Sequence, residues 1–158
     1  MVNEQWFFSG SKDDESKYLS NFTSHDRGAK YPSIESQFQA MKFCYSDNPQ
    51  HRLTIDWANA SPKDCRSFGS KTYFRKHHIQ LNVSKWEKDK VPIMWELLKI
   101  RYKKDPCFRN ILKKSKKNNV RLMHYSLRDK FWGAYRKKAT NELIGKNMLG
   151  KLMSQLTK

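Results

Sequence analysis

The chain has 158 residues, of which 32 are Lys or Arg and 15 Asp or Glu, a formal charge of +17 at neutral pH. That length suits a single domain, 1–158, able to bury roughly 68–70% of its unfolded surface. The apolar fraction is only 37%, but a 13% aromatic content with five Trp and nine Phe supplies enough buried area to exclude general disorder.

No apolar run approaches the roughly 18 residues of a membrane span, and Met1 to Gly10 has no basic stretch leading into an apolar one. The expectation is a cytoplasmic protein that does not engage a membrane. Cys44, Cys65 and Cys107 form no CxxC pair and no zinc-finger spacing, so they read as reduced thiols. The five histidines, His25, His51, His77, His78 and His124, fit no metal motif such as HExxH, and neither a metal nor a cofactor is assigned. The excess positive charge raises the local concentration of phosphate-bearing partners. A single lysine such as Lys113 or Lys117 more often only solvates its surface, but the excess as a whole points to an anionic ligand.

In chain order, Gln5 to Ser9 reads as a short aromatic strand followed by a charged loop from Gly10 to Lys17. Ser33 is a helix N-cap, with Ile34, Phe38, Met41 and Tyr45 following at helical spacing. Ser61, Pro62 and Asp64 start a short helix that Gly69 stops. Ser84 with Glu87 has a capping-box pattern, and Pro92, lacking a backbone donor, is expected to break or kink the helix that holds Trp86. Met94, Leu97, Leu98 and Tyr102 keep helical spacing beyond it, and Asp105 with Pro106 starts a helix carrying Phe108, Ile111 and Leu112. Val120, Leu122 and His124 alternate with Arg121, Met123 and Tyr125, which predicts a short strand leading into the loop around Trp132. The last helix carries Met148, Leu149, Leu152, Met153 and Leu156. No repeat or Pro, Gly or Ser-rich linker divides the chain. The sum is an α+β fold, mainly helical with a small sheet.

Three constellations could carry chemistry. Glu35, Gln39 and Lys42 are spaced by four and three residues, so an acid and an amine share one ridge of the first helix. The plainer alternative is a solvated pair on an exposed face, with Glu35 favoured near the positive helix end. In Asp129, Lys130, Phe131, Trp132, Gly133 a carboxylate stands beside two rings, which either stack on a base and orient a hydroxyl or form a tight turn anchored in the core. Trp86 has the same ambiguity. The run Gly145, Lys146, Asn147, Met148, Leu149, Gly150 sets backbone N–H groups and an ammonium at a helix start, an arrangement that attracts anions or simply caps the helix. It is not a P-loop, and no GxSxG elbow signals a serine nucleophile.

Five segments in order, "YLSNF" at 18–22, "YPSIESQFQAMKF" at 31–43, "ASPKDCRSFGSK" at 60–71, "DKFWG" at 129–133 and "GKNMLGKLM" at 145–153, together resemble the YbiA-like, or NADAR, proteins. With Trp86 and "ELLKIRYKKDPCFRNIL" at 96–112 the resemblance runs along nearly the whole chain. It implies an N-glycosidase. Family members hydrolyse ribosylamino-pyrimidine phosphates of early riboflavin synthesis, and others remove ADP-ribose from guanine bases. The implied partner is therefore a phosphorylated ribosyl small molecule or ADP-ribosylated nucleic acid.

By resemblance, Glu35 holds the acidic position of the PSxEH stretch and Lys42 the lysine of QAxKF, the stretch that also contains Gln39. Trp86 matches a pocket position, as do Asp129, Trp132 and Gly133 of the DxxWG turn. Ser20 and Asn21 match SNF, expected near ribose or base, and Lys146 with Asn147 match GKN, expected near phosphate. The chain departs from the pattern at Ser36, where His is usual, at His124, where Glu is common, and in the basic loop that Ala134 and Tyr135 begin. Lys30 is one residue out of register with a further family lysine and is a second candidate amine.

The expected chemistry is stabilisation of a cationic sugar carbon, or activation of water, by Glu35, with Lys42 or Lys30 as a Schiff-base nucleophile if the ribose opens. Asp129 would orient hydroxyls, while Trp86 and Trp132 cover the substrate. The alternative is a catalytically silent basic module that binds nucleic acid or ADP-ribose.

Overall fold

A computed structural model describes residues 2–13 and 15–158. In chain order the elements are β1 (Asn3–Phe7), α1 (Ile34–Phe43), α2 (Pro62–Phe68), α3 (Lys71–Lys76), α4 (Val83–Lys104), α5 (Pro106–Lys117), β2 (Val120–His124), β3 (Tyr135–Arg136), β4 (Leu143–Ile144) and α6 (Met148–Gln155), with 3-10 turns at Ser16–Tyr18 and Pro49–Thr54. The result is the expected α+β class, mainly helical with small sheets. The chain forms two compact units, Met1–Ser20 with Asp105–Lys158, and Asn21–Lys104. No helix among the described residues is long and apolar enough to cross a membrane.

In the unit that holds both chain ends, β1 and β2 pair in parallel, Asn3 opposite Val120 and Phe7 opposite His124. Asp105 caps α5 as expected, its side chain accepting from the Phe108 N–H. Leu122 and Met123 are both buried, so the alternation read along β2 does not separate a wet face from a dry one. The short β3–β4 hairpin was not expected. It is fastened over distance, since the Arg136 guanidinium donates through Nε and Nη2 to the Glu4 carboxylate on β1.

The other unit is helical, around a core of Ala40, Phe43, Trp57, Cys65, Phe74 and Ile79. Ser33 caps α1, and Ser36 completes a reciprocal box: each backbone N–H donates to the other's hydroxyl, at 3.1 and 3.2 Å. Ser36 therefore locks the helix start. Gly69 ends α2 as expected, whereas α3, capped by Ser70, was missed.

The cap expected for α4 is corrected, and of the break or kink expected at Pro92 the break does not occur. Asn82, not Ser84, caps it, with Oδ1 accepting from the Lys85 N–H at 3.1 Å. The helix also runs through Pro92 without ending. A proline inside a helix costs about 3 kcal/mol, but Trp86, Met94, Leu97 and Leu98 are buried along the helix, and each contributes about 1.5–3 kcal/mol. Burial wins, and the proline itself is exposed.

His51 sits in this unit with Nε2 3.0 Å from the Tyr73 hydroxyl, its ring stacked on Phe43 and 4.9 Å from that of His77. Burial, and secondly the neighbouring His77, hold its pKa below the ordinary 6.5. The unfolded chain therefore takes up this proton at a pH where the folded chain resists it. Stability is unaffected above the unfolded pKa and is lost as pH falls through about 6.5 toward the depressed value. We expect the thermal midpoint to drop between about pH 7.5 and about pH 5, and to drop less in His51→Gln. Parallel pH slopes in the two proteins would refute the assignment.

Candidate active site

Glu35 lies in the first turn of α1 and is only 6% exposed. Its backbone N–H donates to the Asn21 carbonyl at 3.1 Å, so the SNF segment and the start of α1 are tied together. Its Oε1 accepts from Gln39 Nε2 at 2.9 Å and lies 3.5 Å from Nε of Arg66 on α2. Burial pushes the carboxyl above its ordinary pKa of 4.5. The Arg66 charge, the Gln39 amide and the more distant Lys42 pull it back, and the net direction is upward. The buried Cys65 thiol is pushed up to about 11, first by burial and then by the Glu35 charge, so it is an inert neighbour.

Lys42 donates to the Gly69 carbonyl at 3.0 Å and stands 5.7 Å from the centre of the Trp86 ring. Gly69 serves the ridge twice. A Cβ there would lie 1.7 Å from Gln39 Oε1, so only glycine lets the amide lie against this backbone, and its carbonyl holds Lys42. Gln39 Oε1 and Asn21 Oδ1 are both buried without a hydrogen-bond partner. The structure therefore brings together Glu35, Gln39 and Lys42, with Asn21 on the backbone of Glu35. Sequence reading overlooked Arg66 and Gly69, although both stand in the 60–71 segment that carried the resemblance.

Other expected site residues are placed differently. Trp86 is 4% exposed, packed against Phe38 and Tyr45 at 5.1 and 5.4 Å between ring centres. It is a wall of the core beneath Lys42, not an open stacking face. Lys30 is exposed, with its ammonium over the Tyr31 ring.

In the unit with both chain ends, Ser20 is 2% exposed and donates to the Ser9 carbonyl. Asp129 is exposed and uses Oδ1 to accept from the Phe131 and Trp132 N–H groups at 3.0 and 2.9 Å, so it closes the turn, one of the two alternatives its sequence left open. Trp132 is half-buried, edge-on to Phe131. Gly133 is buried where a Cβ would come within 2.7 Å of Ser126 Cβ. His124 stacks on Phe7, 5.2 Å between ring centres.

The segment expected near phosphate, Lys146 and Asn147, is engaged through its backbone within the protein. The N–H groups of Lys146, Asn147, Met148 and Leu149 donate to the carbonyls of Lys130, Gly133, Phe131 and Trp132 in turn. Four successive N–H groups at the start of α6 are thus engaged by the DKFWG loop. Asn147 is 1% exposed, accepting from the His124 N–H and donating to the Leu122 carbonyl, so it is a fastener between β2 and α6. Lys146 is exposed, with its ammonium 5.4 Å from the centre of the Phe131 ring.

A helical α+β chain whose first long helix buries a carboxyl among an amide, a guanidinium and an amine belongs to a definable group: the NADAR domain family matches residues 7–158, and the chain belongs to that family. It is 32% identical over 148 residues to the chloroplastic riboflavin biosynthesis protein PYRR of Zea mays, a match covering 87% of this chain but only 22% of that protein. Its fold is that of the NMR structure of the E. coli protein YbiA, with a TM-score of 0.68 at 22% identity over 99% of this chain and 84% of that one.

Because the Gln39 amide occupies the space a side chain at 69 would need, Gly69→Ala should destabilise the protein by about 1–3 kcal/mol, the usual range for overpacking. It should also release Lys42 from its carbonyl partner. Urea unfolding measures the first effect, and a variant as stable as the parent would contradict this packing.

Proposed function

We propose that the protein is a hydrolase of N-glycosyl compounds, cutting the bond between a base or amine and a phosphorylated ribose. The observation that carries this reading is Glu35: a carboxyl 6% exposed and raised in pKa, beside Arg66 and on one ridge with Lys42. Family membership and the relative named for riboflavin biosynthesis support it. The formal charge of +17 suits a phosphorylated ligand.

In this mechanism the C–N bond breaks as positive charge develops on the sugar carbon. Water attacks that carbon, and its proton passes to Glu35 and then to the departing nitrogen. A carboxyl raised above its ordinary range is suited to both transfers near neutral pH. In a second route the Lys42 amine attacks the same sugar carbon as its bond to the base breaks and the base leaves with a proton; the ribose ring then opens to an imine with Lys42, which water hydrolyses to free sugar and lysine. The substrate is ribosylamino-pyrimidine phosphate or ADP-ribose on guanine.

Glu35→Gln should lower the rate by at least about 10²-fold, the scale of a positioned acid or base, while circular dichroism and the thermal midpoint stay unchanged. Base release followed by chromatography with both substrates is the measurement, and a fully active variant would remove Glu35 from the mechanism. For the imine route, borohydride added during turnover should leave a reduced adduct on the peptide containing Lys42. Recovery of that peptide unmodified would assign the attack to water.

A further inference from the structure

Of the two indoles expected to stack on the leaving base or cover the ribose, Trp86 is 4% exposed and packed against Phe38 and Tyr45. A different planar group beside Glu35 has the accessibility it lacks. The Arg66 side chain is 53% exposed; its guanidinium carbon lies 4.4 Å from the centre of the Phe22 ring, and its Nε lies 3.5 Å from Glu35 Oε1. The guanidinium carbon lies over an aromatic ring and Nε lies beside a buried carboxyl. Two contacts of different kinds thus hold the guanidinium before any ligand arrives, which lowers the ordering cost of binding.

Guanidinium planes stack on nucleobases as aromatic rings do, and a lysine ammonium, having no plane, does not. We propose that Arg66, backed by Phe22, is the platform on which the nitrogen heterocycle of the substrate stacks, so that its bond to the ribose comes to lie beside Glu35. The ligand class is a planar base carried on a phosphorylated ribose. The catalytic meaning of the platform rests on the function proposed for Glu35, but its binding of a base does not depend on the bond being cut. The arrangement also assigns separate tasks: the guanidinium reads the flat base, and the buried carboxyl serves the bond beneath it.

The test compares the affinities of guanosine 5′-monophosphate and cytidine 5′-monophosphate with that of ribose 5-phosphate, which has no base, by calorimetry or NMR titration. The parent should prefer at least one base-bearing ligand by about 5-fold to about 150-fold, the equivalent of stacking one base. Arg66→Ala and Arg66→Lys should both lose that preference, while Arg66→Lys keeps its affinity for ribose 5-phosphate because the charge remains. Phe22→Leu should weaken the preference without abolishing it. Base release from substrate by the parent is followed in a separate assay, so a failure of the platform and a failure of the glycosidase reading are seen separately. A parent without base preference, or Arg66→Lys with the preference intact, would overturn the proposal.

Discussion

Keeping the Glu35 carboxyl inside the protein is the constraint on which the arrangement of Asn21–Lys104 depends. A buried carboxyl is costly unless hydrogen-bonded and paired, and each neighbour answers part of that demand. The reciprocal serine box at Ser33 and Ser36 fixes the first turn of α1, and the Asn21 carbonyl takes the Glu35 N–H. Gln39 and Arg66 contact the carboxyl itself. The position near the positive end of α1 adds a further favourable field. Compensation is incomplete, because the net pKa direction is still upward, whereas a fully matched salt bridge would pull the carboxyl below its ordinary value.

Local sequence signals revealed those parts of the fold whose causes are local. The Ser33 and Asp105 caps, the Gly69 stop and the apolar stripes of α5 and α6 each depend on residues within one or two turns. The β3–β4 hairpin was hidden because Arg136 is held by Glu4, 132 residues away. Pro92 misled for a related reason: its local penalty was visible, whereas the burial of Met94 and Leu98 that outweighs it comes from tertiary packing. Ser84 with Glu87 carried the correct pattern for a cap, but Asn82 offered its side chain two residues earlier.

The same division runs through the candidate site. Spacing placed Glu35, Gln39 and Lys42 on one ridge, since a helix brings residues three and four apart together. Arg66 and Gly69 come from a different helix and its end, and nothing in their own neighbourhood announces a meeting with α1. The GKN segment shows the reverse relation. A helix start attracts anions only where its N–H groups lack partners, and here the preceding loop's carbonyls occupy them one after another. Asn147, with 1% exposure, serves the same internal scaffold.

Two buried acceptor oxygens near Glu35, Asn21 Oδ1 and Gln39 Oε1, have no hydrogen-bond partner, and such atoms cost about 1–3 kcal/mol each. Stability alone would favour leucine-like side chains at 21 and 39, which fill space without that penalty. The amide at 39 instead holds the Glu35 carboxyl by its nitrogen, and that single contact necessarily turns its oxygen away, against the bare backbone of Gly69. The unsatisfied oxygen is thus a geometric consequence of orienting the carboxyl. A network with this cost concentrated around one carboxyl is organised to hold that group more than to strengthen the fold.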